Sequence, residues 1–174
     1  MKRTLAGLGL FLLTLAPLVV FSQTAEKAEQ ILQQQFPGAR VERKTLYLTR
    51  DAQASLAAEL GEEVSRVQTF YLAHSTAGLV GFGTFDTHIV RTKQETLFIV
   101  MDAAGIIKHV EVAAFLEPRD YLAPARWRAL LRGRTYGDAL DVPGITGATL
   151  TVKSVKNSVK RTLALARIHR TALK

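Results

Sequence analysis

The sequence predicts an α+β domain, an antiparallel sheet flanked by helices, and three observations carry the prediction. Apolar residues fall at helical spacing near the two ends of the chain, at Ala25, Ala28, Ile31, Leu32 and Phe36 and again at Val152, Val155, Val159, Leu163 and Ala166. Between these ends lie successive runs with strand character, separated by short turns, without the strict βαβ alternation of a parallel sheet. The 174 residues, 48% of them hydrophobic, are enough for one packed core and too few for two ordinary domains. The chain has no cysteine, which excludes disulfides, thiolate metal sites, a thiol nucleophile and a lipidated cysteine, so stability rests on packing. A net charge of +8 favours acidic partners without choosing among them.

Each element has a local reason. Lys2 and Arg3 precede an apolar stretch from Leu5 to Phe21, followed by Ser22, Gln23 and Thr24. That order is expected of a secretory leader over residues 1–22, cleaved near Gln23 or retained as an anchor, since its length sits at the lower edge of what crosses a core of roughly 30 Å. Thr24 is the expected cap of a first helix that stops at Pro37-Gly38, although Lys27 occupies the place a full capping box gives to Glu or Gln. A strand is expected from Arg40 to Leu48, and a second helix from Thr49 to Gly61, capped by Thr49 or Asp51. These residues, 23–65, form a helical first part; 66–174 form the main α+β unit.

From Arg66 a strand runs to a turn at Ser75–Gly78. The next strand carries Gly81 and Gly83, which mark a bulge or the close approach of a neighbour. Thr96–Met101, the turn Asp102–Gly105 and Ile106–Phe115 make the clearest hairpin. Pro124 opens a short helix through Trp127 and Leu131 that ends at Gly133, and a polar connection from Thr135 to Thr146 leads into the terminal helix.

One segment carries a chemical signal. In Ile145-Thr146-Gly147-Ala148-Thr149-Leu150-Thr151 a loop becomes the last helix, where unpaired N–H groups and a partial positive charge attract phosphate. Gly147 permits a sharp turn, Thr149 brings a hydroxyl to the helix start, and Lys153 adds charge in the first turns. An ordinary capping turn would use the same residues.

Thr146-Gly147-Ala148-Thr149, followed by Leu150, Thr151 and an amphipathic helix, resembles the Ser/Thr-Gly-Ala-Thr motif of the FMN-binding domain family, which includes the flavin-carrying small subunits of the Rnf and Na⁺-translocating NADH:quinone reductase complexes. The resemblance spans about Arg66 to Ile168. It implies FMN as cofactor, joined through its phosphate to Thr149 by a flavin transferase outside the cytosol. Pro143 stands where the family's attachment motif has an aspartate, with Asp141 two residues further out, so the same loop is compatible with covalent or noncovalent FMN. Phe115-Leu116-Glu117-Pro118 is similar to the family's Glu-Thr-Pro segment near the ring, without its threonine, and makes Glu117 a second candidate beside a plain turn carboxylate. Thr84, Asp86, Thr87, His88 and Arg91 cluster after the glycine-bearing strand, and Arg91 is the one expected to meet the phosphate or the N1/C2 edge of the flavin. Tyr121 and Trp127 either stack on the ring or fill the core, Trp127 the latter.

The histidines show no metal-ligand spacing, and nucleophile-elbow, Walker and dinucleotide signatures are missing. The expected function is an exported flavoprotein, periplasmic or otherwise extracytoplasmic, that passes electrons between membrane or periplasmic redox partners and is open to membrane association. The alternative is a cofactor-free exported interaction or inhibitor-like module. Nucleic-acid binding through Lys153, Lys156, Lys160, Arg161, Arg167 and Arg170 is disfavoured, because charge alone gives only nonspecific affinity.

Overall fold

The computed structural model describes residues 16–173, and most of the leader expected over residues 1–22 lies outside them. The first helix, α1 (Ala16–Gln35), runs through Thr24. The expected cap at Thr24 is therefore corrected. The partial capping signal, with Lys27 three residues on, is too weak to interrupt a helix whose preceding residues Leu18–Phe21 contain no breaker, and Pro17 is tolerated in a first turn. The stop is where the sequence places it, with Gly38 at φ 78°.

Strand β1 (Arg40–Tyr47) leads into α2 (Arg50–Leu60), whose start and end follow the local signals. Thr49 Oγ1 accepts the Ala52 N–H at 3.1 Å, and Gly61 closes the helix in the left-handed region. Four further strands follow: β2 (Val67–Ser75), β3 (Gly78–Ile89), β4 (Gln94–Asp102) and β5 (Ile107–Phe115). They pair in sequence order, β1-β2-β3-β4-β5, every pair antiparallel. After β5 come a 3₁₀ turn at Arg119–Tyr121, the short α3 (Ala125–Arg128) with a 3₁₀ extension to Leu131, then α4 (Thr149–Ile168) and α5 (Arg170–Leu173). The expected α+β architecture is what the chain forms.

The sheet is covered on two faces, which is why its strands read as nearly continuous apolar runs. Phe70 and Leu72 of β2 and Leu97, Ile99 and Met101 of β4 pack with Leu56 of α2, Trp127 of α3 and Val152, Val155, Val159 and Leu163 of α4. Their neighbours Tyr71, Ala73, Phe98 and Val100 point the other way, onto Ala28, Ile31 and Leu32 of α1. Each fully buried aliphatic side chain contributes about 1.5–3 kcal/mol, so the α4 stripe alone anchors the helix firmly.

Both readings of Gly81 and Gly83 hold. The β2–β3 register shifts at Ala73/His74, beside Gly81, and the Phe36 ring lies where a Gly81 side chain would be. At Gly83 a methyl group would come within 2.5 Å of the Phe98 ring. The outer edge of β5 is covered by arginines from the segment after it. Arg132 Nε donates to the Lys108 carbonyl at 3.0 Å and Arg128 Nε to the Val110 carbonyl at 3.0 Å. Among the described residues no helix is long and apolar enough to cross a membrane.

Candidate functional site

The Thr146–Thr149 segment is a tight turn set against the start of α4. The Ala148 N–H donates to the Ile145 carbonyl at 3.0 Å, and Gly147 adopts φ 84°, a conformation that residues with a side chain rarely take. A Cβ at Gly147 would meet nothing within 4 Å, so the backbone angle, not crowding, calls for glycine. Ala148 holds the cap position and makes no side-chain capping bond. The turn runs into the helix through backbone hydrogen bonds alone. Thr149 is the first helical residue and is exposed, and the first-turn N–H groups have no intrahelical acceptor.

A hollow of about 190 Å³ opens at this turn, lined by Arg91, Tyr121, Gly147, Ala148, Thr149, Leu150 and Thr151. It is smaller than the roughly 300–1,000 Å³ of pockets that enclose a whole drug-sized ligand. Exposed hydroxyl, free helix-start N–H groups and an arginine facing them form a donor set suited to a phosphate. The site thus fits the phosphate end of FMN.

The expected residues take different places around it. Arg91 lies over the Tyr121 ring, 4.8 Å from its centroid. Thr151 is buried, and its hydroxyl donates to the Tyr121 carbonyl at 2.6 Å, fixing α4 to the wall of the hollow. Leu150 is 49% exposed, an apolar side chain at the rim. Thr146 is exposed in the turn without lining the hollow, and Lys153 stands exposed on the next turn of α4.

Glu117 lies behind the site. Its Oε1 accepts the N–H groups of Thr92 at 2.7 Å and Lys93 at 2.9 Å, with the Thr92 hydroxyl at 3.3 Å. Those bonds hold its carboxyl below the ordinary range. The carboxylate clasps the β3–β4 turn that carries Arg91. Trp127 is a core residue, as expected, and its indole N–H donates to the Pro143 carbonyl at 2.6 Å, tying the approach to the turn.

The cluster expected after the glycine-bearing strand lies mostly within it, since β3 continues to Ile89, and only Arg91, beyond its end, reaches the hollow. Thr84 bonds the Thr69 carbonyl at 2.7 Å, and Thr87 pairs with Thr96 at 2.9 Å. Asp86 and His88 belong to a buried charge chain that the sequence does not reveal. His88 Nδ1 meets Asp86 at 3.0 Å and its Nε2 meets Glu95 at 3.1 Å, while Arg161 of α4 binds Asp86 through Nε and Nη2, each at 2.7 Å, and Glu62 through Nη1. Burial opposes the charge on His88, but the hydrogen bonds to Asp86 and Glu95 prevail and raise its pKa to about 9. Burial likewise opposes ionisation of Asp86, and the bonds from His88 and Arg161 prevail, bringing it to about 2. The basic face read along α4 is broken by these pairings: Arg161 is inside the chain, and Arg167 reaches Glu59 at 3.3 Å over the Tyr136 ring.

With this geometry in place, comparison with known proteins identifies the class. The family model of the FMN-binding domain matches residues 68–164, and the chain belongs to that family. It is a flavoprotein with FMN as cofactor. Among solved structures it is similar to the crystal structure of Shewanella oneidensis NqrC, with a TM-score of 0.57 and 12% identity over 89% of this chain and 96% of that one. That likeness is one of fold. No curated protein matches the sequence. Membership of the family removes the cofactor-free alternative.

Proposed function

We propose that the protein is an exported electron-transfer flavoprotein whose FMN is joined through its phosphate to Thr149 Oγ1 by a flavin transferase, and that it serves membrane or periplasmic redox partners as part of a multisubunit complex. The observation that carries this reading is the exposed Thr149 hydroxyl beside an α4 start that no side chain caps. A hydroxyl that must be modified by another enzyme has to be reachable, and this one is. In this reading the helix-start N–H groups and Arg91 hold the phosphate, Gly147 shapes the turn, and Glu117 keeps Arg91 in place.

FMN supplies one- and two-electron redox chemistry. The small hollow leaves whatever it does not enclose open to partner proteins, as a carrier requires. Similarity to NqrC supports a place in a redox complex. Asp141 is exposed near the turn and available to a transferase in place of the aspartate that Pro143 replaces.

The test is expression of the full chain with a flavin transferase, followed by a denaturing gel under ultraviolet light. A fluorescent band is expected, and none from Thr149→Val. A dark parent band, or a bright one from the variant, overturns covalent attachment at this residue.

A further inference from the structure

A second hollow is lined by several basic side chains. It lies between β5 and α3, has a volume of about 310 Å³, and is lined by Lys108, His109 and Val110 of β5 together with Arg126, Arg128 and Arg132 and the small side chains between them. Its lining shares no residue with that of the hollow at the flavin turn.

Its floor holds an under-compensated charge. Arg128 is 8% exposed, and its Nε and Nη1 donate to the carbonyls of Val110 at 3.0 Å and Ala123 at 2.7 Å, which carry no net charge. Its carboxylate neighbour Glu111 stands 3.7 Å from Nη2 and is shared with His109 at 3.0 Å. Glu95 also acts on Arg128 but is hydrogen-bonded to His88. Arg132 is held by the Lys108 carbonyl, the Lys108 ammonium lies over the Phe36 ring, and Arg126 is exposed. Burial pushes the Arg128 pKa below its ordinary value, the mark of a cation whose surroundings do not repay its lost hydration. An anion entering the hollow would supply the missing countercharge, and guanidinium groups match phosphate oxygens in a fork geometry that a lysine lacks.

We propose that this hollow binds a phosphate group, carried by a small phosphate ester or by the headgroup of an anionic phospholipid. At about ten water volumes the space exceeds a bare ion and leaves room for the organic part of an ester against Val110, Ala125 and Ala129.

The test uses the full chain carrying Thr149→Val and no flavin, so that failure of the flavin reading leaves it untouched. Amide signals are followed by NMR during titration with glycerol 3-phosphate, and flotation is measured with phosphatidylglycerol and phosphatidylcholine vesicles. Shifts confined to residues 108–111 and 125–132, weakened about tenfold in Arg126→Ala, support an ester ligand. Flotation with phosphatidylglycerol alone, abolished in Arg126→Glu, supports the headgroup. Arg126 is exposed, and the dispersion of the remaining signals shows whether each variant is folded. No response to either probe, shifts confined to the Thr149 turn, or undiminished binding by Arg126→Glu overturns the proposal.

Discussion

Gly147 and Glu117 act on the flavin turn without supplying its hydroxyl. At φ 84° an alanine is strained by about 1–2 kcal/mol, so Gly147→Ala is expected to lower stability by that amount in chemical denaturation and to reduce flavin labelling further by moving Thr149. Glu117→Gln weakens the clasp on Thr92 and Lys93. Faster hydrogen exchange at those two amides is expected, together with the same reduction of flavin labelling that is expected of Arg91→Ala. If Glu117 instead touched the flavin, the absorption maximum would shift while those amides stayed protected.

Elements were more legible than contacts between them. The strands, α2 with Thr49 and Gly61 at its ends, and the stop at Pro37-Gly38 follow from local chemistry that the sequence displays. So does the turn before α4, because only glycine makes that bend easily and the polar residues around it mark a helix start. Thr24 carries no such signal, because a capping residue inside a helix has the same sequence surroundings as one at its end. The charge chain from Glu62 through Arg161 and Asp86 to His88 and Glu95 joins residues brought together only by tertiary packing, and no spacing rule announces it. Glu117 is legible as a residue but not as a clasp, since its partners Thr92 and Lys93 lie on the β3–β4 turn. The loop before the flavin turn depends on one such long-range bond: Trp127→Phe keeps the ring in the core but removes the donor to Pro143. A cost of about 1–3 kcal/mol is expected, with faster exchange through residues 141–147 on the same sample.

For the whole molecule the charge chain sets a pH window. His88 has its pKa raised from 6.5 to about 9, so its contribution is complete below pH 6.5 and is lost as pH rises through 9. Asp86 has its pKa lowered from 3.8 to about 2, so its contribution is complete above pH 3.8 and is lost as pH falls through 2. Unfolding free energy measured against pH should therefore be highest between about 4 and 6.5, and His88→Gln should flatten the alkaline fall and also reduce the acid one, leaving the part that Arg161 sustains at Asp86. An alkaline limb unchanged in that variant would place the titration elsewhere.

Arg128 and Arg132 sit on carbonyls that a neighbouring chain would otherwise need. With that border already taken, copies of the protein cannot zip together there into a growing ribbon, and a subunit meeting this side must recognise guanidinium groups and shape rather than bare backbone.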